Sequence, residues 1–240
     1  DDASKTPWGE YKKGFLDLCV AALVAITFLK YLLFDLDGTL WDSVDAICIS
    51  WNRALERLAP EYAGTVTRAR LLPCMGMLLP DILHRLVPEL DQERMKPILE
   101  EVLSEENAYV AAHGGVLYPG VEQTLAVLAA RWPLFLVSNC QDGYIEAFFQ
   151  AHGLGRYFTD YENPGRTGLP KADNIALVAE RNGLRRPLYI GDTQGDYDAA
   201  SKAGVPFLHA AYGFGRIDRP VPSVATFGDL PDAICRLTPP

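Results

Sequence analysis

The sequence predicts an α/β fold: a Rossmann-like parallel sheet covered by helices on both faces, with an inserted α-helical cap domain. Three observations predict it. Short apolar runs ending in turn residues recur at "KYLLFD" (30–35), "PLFLVSN" (133–139), "PLYIGD" (187–192) and "VPFLHA" (205–210), as strands buried on both faces do. From about residue 116 onward these runs alternate with helix-period segments, and that alternation makes a parallel sheet. Between Asp42 and Gly115, by contrast, the spacing is helical throughout and no good strand appears.

In order along the chain, "FLDLCVAALVAITFL" (15–29) is apolar and follows Lys12 and Lys13, in the manner of a signal peptide. Its uncharged run, Leu18 to Leu29, is shorter than the roughly 20 residues of a membrane span. Residues 1–29 are therefore expected to form an N-terminal extension outside the catalytic core, either a helix packed on the domain or a poorly ordered segment, with membrane anchoring disfavoured. The first strand follows at 30–35. The helical stretch opens with "DSVDAICISWNRALERLA", for which Asp42 or Ser43 is the expected N-cap, and continues through "LPDILHRLV" and "ERMKPILEEVLSEENAYVAA". After "LYPG" (117–120), helix 121–131 leads to "PLFLVSN", and helix 142–151 to a short strand near "YFTDY". Helix 172–182 leads to "PLYIGD", and helix 196–203 to "VPFLHA". The expected division is a core of 30–41 and 116–240, and a cap of 42–115.

The 240 residues are 49% hydrophobic and 22% charged, enough to build a sizeable core. A formal net charge of -9 without a basic block argues against nucleic-acid and anionic-membrane partners. A small anionic substrate remains open to such a chain through a local pocket or a bound metal. The five cysteines, at 19, 48, 74, 140 and 235, are widely spaced and contain no Cys-x-x-Cys. This pattern fits reduced thiols and a cytoplasmic location. No pattern specifies an oligomeric state.

In a parallel sheet, ligands bind beyond the carboxyl ends of the strands, so the residues delivered there carry the chemistry. Strand one ends in "DLDG". Asp35 and Asp37 flank Leu36, and strand alternation turns both carboxylates toward one side. Such a pair can share a hard cation, divide nucleophilic and proton-transfer work, or simply mark a turn. Gly38 permits a tight turn that aims backbone amides at an anion. Ser138 and Asn139 end the second apolar strand with short donors suited to a phosphate oxygen, or to a helix N-cap. Lys171 precedes an apolar helix, where a lysine is commonly a solvated surface residue. In "YIGDTQGDYDAA", Asp192 falls at a strand tip and Asp196 on the first turn of the next helix, a common capping position.

Together and in this order, "DLDGTL" (35–40), "SN" (138–139), Lys171 and "GDTQGD" (191–196) resemble the haloacid dehalogenase superfamily of aspartate-nucleophile phosphohydrolases. "LYPGV", "VSN" and "GDTQGDYDAASKAG" most resemble its phosphoglycolate phosphatase-like branch, and the helical stretch stands where that superfamily inserts a cap. The resemblance implies a magnesium-dependent phosphatase that hydrolyses a small phosphorylated metabolite through an aspartyl-phosphate. It implies Asp35 as nucleophile, Asp37 as acid and base, and Lys171 as stabiliser of the transferring group. Ser138, Asn139, Lys171, Gly38 and Thr39 would bind phosphate. Asp35, the main-chain carbonyl of Asp37 and Asp192 would bind magnesium, with Asp196 orienting the ligand shell. The dehalogenases of the superfamily lack the second carboxylate, so Asp37 favours phosphoryl transfer. A β-phosphoglucomutase-like sugar-phosphate mutase shares these motifs, and a catalytically silent binding protein could share the fold. The candidate cap loop "LLPCMGMLLPDI" (71–82) has no charge before Asp81, which does not suit a second substrate carboxylate.

Overall fold

The computed structural model describes residues 31–237; the apolar segment and extension at 1–29 lie outside the described residues. A six-stranded sheet forms the centre. Strands β1 (Tyr31–Phe34), β4 (Leu134–Val137), β5 (Phe158–Glu162), β6 (Pro187–Gly191), β7 (Phe207–Ala210) and β8 (Ser223–Val224) lie in the order β5-β4-β1-β6-β7-β8, all parallel. The period-2 geometry of a strand explains why the apolar runs are continuous. Leu32, Phe34, Leu134, Leu136, Leu188 and Ile190 face one apolar cluster, while Leu33, Phe135, Val137 and Tyr189 face another across the sheet. Both faces are covered, so neither alternate position can be polar.

The chain leaves β1 toward β4 and β5, then returns to β6 on the other side of β1. This reversal opens a crevice at the carboxyl end of β1, where Asp35 follows Phe34. Between β1 and β4 stands the helical stretch. A two-stranded antiparallel ribbon joins β2 (Trp41–Asp42) to β3 (Val116–Leu117), pairing Trp41 with Leu117 and Asp42 with Val116. The ribbon puts the two ends of the helical stretch side by side. Sequence reading placed no strand here because two residues carry no readable period.

Within the stretch, α1 (Val44–Leu58), α2 (Arg68–Leu71), α3 (Leu79–Leu86) and α4 (Gln92–His113) enclose their own apolar cluster, which includes Trp51, Leu55, Leu83 and Val102. The core helices are α5 (Val121–Ala129), α6 (Tyr144–His152), α7 (Pro164–Thr167), α8 (Lys171–Arg181), α9 (Gln194–Lys202) and α10 (Leu230–Arg236). Ser43 occupies the N-cap position of α1 without a capping bond. Instead, Asp42 Oδ1 accepts from the Val44 amide at 3.0 Å. That frees the Ser43 hydroxyl for another task.

Candidate active site

Two strand ends and two helix starts converge on one buried group of charges. Asp35 leaves β1, its amide donating to Ile190 O at 2.8 Å. Lys171, the first residue of α8, is buried rather than solvated; its Nζ donates to Asp35 Oδ1 at 2.6 Å and to Asp196 Oδ1. Its Nζ also stands 5.6 Å from the centre of the Tyr189 ring. Asp196 is fixed through its other oxygen, which accepts from the Thr193 amide at 2.9 Å and the Thr193 hydroxyl at 2.8 Å in a capping box of α9. Asp192, one residue past β6, accepts through Oδ2 from the Phe214 amide at 2.7 Å and the Gly215 amide at 3.3 Å.

Carboxylate oxygens of Asp35, Asp192 and Asp196 lie within 4.8 Å of one another, all three residues buried. Three buried acids thus share the single ammonium of Lys171, and the imbalance appears in the proton affinities of Asp35 and Asp192. Burial first, and then the charge of Asp196, raise Asp35 to about 7 although Lys171 pulls the other way. Burial, Asp196 and Asp35 push Asp192 well above the carboxylate range. Burial opposes the Lys171 ammonium, but Asp196 and Asp35 outweigh it and hold its pKa well above the usual lysine value. A cluster of oxygen ligands short of positive charge fits a hard divalent cation.

Asp37 stands apart from this group. Its Oδ1 accepts from Trp41 Nε1 at 2.9 Å, from Tyr144 OH at 3.0 Å and from the Ser43 hydroxyl. Burial still lifts its pKa above the ordinary value despite those donors. The two carboxylates therefore occupy different environments, one against an ammonium and the other in a ring of neutral donors. Trp41 and Ser43 lie four and six residues beyond Asp37, just past the "DLDGTL" motif. Tyr144 is 107 residues away and carried no local signal.

The remaining candidates behave less uniformly. Ser138 is buried directly after β4, its amide bonded to Glu162 O at 3.3 Å. Asn139 reaches the helical stretch, donating to Gly76 O at 3.0 Å. Gly38 has φ +82°, and a Cβ there would stand 2.2 Å from Asp192 Oδ2. The amides of Gly38 and Thr39 are engaged inside the turn, by Trp41 O at 2.9 Å and Leu36 O at 3.2 Å. The Thr39 hydroxyl faces Asp192 Oδ1 at 3.5 Å. Arg68 pairs with Asp42, and Arg70 donates to Thr65 O and Leu86 O, so both do structural work. His113 is stacked on Tyr109. Burial, with Asp37 and Asp35 nearby, pushes the Cys140 thiol well above its ordinary pKa, which makes it unreactive.

Sequence reading missed Glu106, on α4. It is buried, accepts from Trp51 Nε1 at 2.5 Å, and is raised by burial to about 8.

A parallel sheet with the switch point at a buried aspartate, facing a lysine and two further acids, defines an α/β protein with a charged crevice at the carboxyl ends of its strands. Comparison with known proteins specifies which. Residues 32–210 match the family model of haloacid dehalogenase-like hydrolases, and the chain belongs to that family. The phosphoglycolate phosphatase of Escherichia coli (strain K12) is 30% identical over 210 residues, covering 75% of this chain and 81% of that protein. The corresponding protein of Salmonella typhi is 28% identical over the same length. A solved haloacid dehalogenase-like hydrolase of Bacteroides fragilis superposes with a TM-score of 0.72 at 25% identity, covering 84% of this chain and 99% of that one. CbbY of Rhodobacter sphaeroides, solved in complex with phosphate, shares the fold with a TM-score of 0.68 at 18% identity, over 85% of this chain and 96% of that one. The protein is a phosphatase of this family. Among the described residues, no helix is long and apolar enough to cross a membrane.

Proposed function

We propose that the protein hydrolyses a small phosphate monoester, dependent on magnesium, through an aspartyl-phosphate on Asp35. The observation that carries this reading is the pairing of Asp35 with Lys171 at 2.6 Å, two residues from an Asp37 kept in a separate ring of donors. An Asp35 oxygen attacks phosphorus while the bond to the ester oxygen breaks. Asp37, whose burial favours its protonated form, gives its proton to the departing alkoxide. It then takes a proton from the water that attacks the aspartyl-phosphate, releasing inorganic phosphate and restoring Asp35. Lys171 holds the nucleophile and offsets negative charge on the transferring oxygens, and Ser138 supplies a hydroxyl to them.

Magnesium held by Asp35, Asp192 and the main-chain carbonyl of Asp37, with Asp196 orienting the shell, would supply the charge neutralisation that lets a carboxylate approach a phosphate dianion. The phosphate-binding role of Gly38 is to keep the turn tight, since its amide and that of Thr39 are already engaged. Asn139 spends one Nδ2–H on Gly76 O, and its second would serve a phosphate oxygen. The helical stretch 42–115 acts as the cap over 30–41 and 116–237, and the free thiols of Cys48, Cys74 and Cys140 support a cytoplasmic location.

The test is hydrolysis of p-nitrophenyl phosphate with magnesium, with chelator, and by Asp35→Asn. Activity is expected to require the metal and to vanish in the variant while circular dichroism is unchanged. Retention of more than about a tenth of wild-type turnover, a barrier change of only roughly 1.4 kcal/mol, would remove Asp35 from its role.

A further inference from the structure

Beside Asp37 lies a small, partly open cavity, about 30 Å³, walled on one side by the helical segment. Its apolar wall includes Trp51, Leu71, Met77 and Ile82; its polar lining is Asp37, Glu106, Asn139, Gln141 and Tyr144. On the proposed mechanism the leaving alcohol must lie against Asp37, so this cavity receives the part of the substrate that differs from one phosphate ester to another. A space of this size takes about two or three heavy atoms.

The lining contains two acids and no lysine, arginine or histidine. Arg85, whose Nη1 lies 4.0 Å from Met77 Sδ, is not part of it. Lys171 is held by Asp35 and Asp196. Each amide, indole and phenol donor in the lining already donates within the protein. Tyr144 OH serves Asp37 at 3.0 Å and Trp51 Nε1 serves Glu106 at 2.5 Å. Asn139 serves Gly76 O at 3.0 Å, and Gln141 Nε2 serves Asn107 Oδ1 at 2.9 Å. Gln141 Oε1, by contrast, is buried without any partner, on a residue only 8% exposed.

The orientation of that amide is fixed by its neighbours. Asn107 Nδ2 donates to Asp142 O at 2.8 Å, so it must be the nitrogen. Asn107 Oδ1 then faces Gln141 and requires a nitrogen there. Turning Gln141 over would set two oxygens, or two nitrogens, against each other somewhere along this chain. The orphan is therefore an acceptor. A buried acceptor left unpaired costs about 1–3 kcal/mol, which a donor on the bound substrate recovers. Glu106, protonated or not, brings no positive charge to the cavity.

We infer that the cavity selects phosphate monoesters whose short alcohol part ends in a hydrogen-bond donor, a hydroxyl or an ammonium, and excludes those ending in a second anion. This inference rests on the phosphatase reading and deepens it. It also separates the chain from its curated relatives: against the desolvation of the phosphoglycolate carboxylate the lining offers no cationic side chain, only neutral amides, a phenol and two buried acids.

Three substrates of one skeleton decide the matter: 2-hydroxyethyl phosphate, 2-aminoethyl phosphate and phosphoglycolate, with p-nitrophenyl phosphate as control. The expected result is a kcat/KM at least about tenfold higher for the hydroxyl or the amine ester than for phosphoglycolate. Which of the two leads identifies the head group. In Gln141→Leu, folded by circular dichroism, the preference should shrink by a similar factor, a change in ratio that a merely structural role would not produce. Equal or better hydrolysis of phosphoglycolate by the wild type overturns the inference, as does an unchanged ratio in the variant. Hydrolysis of the control without any of the three short esters also overturns it. Failure on the control as well defeats the phosphatase reading itself.

Discussion

Replacing Glu106 with Gln gives a sharp test of the buried electrostatics, because the shape is kept and only a charge is removed. Glu106 is 2% exposed, and Gln can still accept from Trp51 Nε1. Burial raises the carboxyl from 4.5 to about 8, ahead of the lowering by Trp51 and the smaller raising by Asp37. The folded protein therefore holds a proton at this site that the unfolded chain releases near pH 4.5. Between those values the unfolded state binds fewer protons, so stability must fall as pH rises, and the full penalty is present above pH 8. A rise from 4.5 to about 8 corresponds to roughly 5 kcal/mol as an upper figure. Solvent penetration and local relaxation reduce the expected gain of the variant to on the order of 2–4 kcal/mol at pH 9. Below pH 4.5 both side chains are neutral and the variant should lie within about 1 kcal/mol of wild type. Urea unfolding followed by circular dichroism at pH 4.5, 7 and 9, wild type against variant, measures the difference directly and cancels the titration of the other acids. A variant that is less stable than wild type at pH 9 would refute the reasoning, since Glu106 would then be ionised and favourably held.

Two further outcomes follow from the charge cluster. Lys171→Met leaves Asp35 and Asp196 buried without their shared ammonium, so it should abolish activity and cost about 3–5 kcal/mol at pH 7.5. That loss should shrink at pH 5 as the carboxylates take up protons, and a pH-independent loss in thermal unfolding would contradict it. Gly38→Ala puts a Cβ 2.2 Å from Asp192 Oδ2 and 2.7 Å from Phe214 Cδ2 at φ +82°, so it should destabilise by on the order of 2 kcal/mol and abolish turnover. Wild-type kinetics from that variant would show that the turn tolerates a side chain.

The sheet was legible because its strands are buried on both faces, which leaves continuous apolar runs that no surface element carries. Their polar tips were legible for the same reason: Asp35, Ser138 and Asp192 each interrupt an apolar run where the crevice opens. Lys171 was not legible by itself. A lysine at the start of an amphipathic helix looks solvated until β1 and α9 are known to bring Asp35 and Asp196 to it. Glu106 and Gln141 were missed for a related reason. Glu106 lies in a run of acids on α4, where period and charge describe a wet face, and only the packing of α1 and Trp51 against that helix makes it dry. The ribbon of β2 and β3 was too short to leave a pattern.

The donors around Asp37 show why the helical segment begins where it does. Trp41 belongs to β2, Ser43 is the N-cap of α1, and Tyr144 opens α6 on the sheet side. Trp41 is in turn wedged edge-on against Tyr144 and Phe148, with ring centres 6.0 and 4.8 Å apart. Two of the three groups that hold the Asp37 carboxylate are thus supplied by the junction leading into the helical segment, and the third by the core. A loop that merely crossed the sheet edge could not supply an indole, a hydroxyl and a buried wall within six residues. The short chain from Asp37 to Ser43 does so because the tight turn at Gly38 folds it back, and the β2–β3 pairing pins its far end. Asp35 and Asp37 can therefore sit two residues apart while their environments remain as different as an ammonium and a ring of neutral donors.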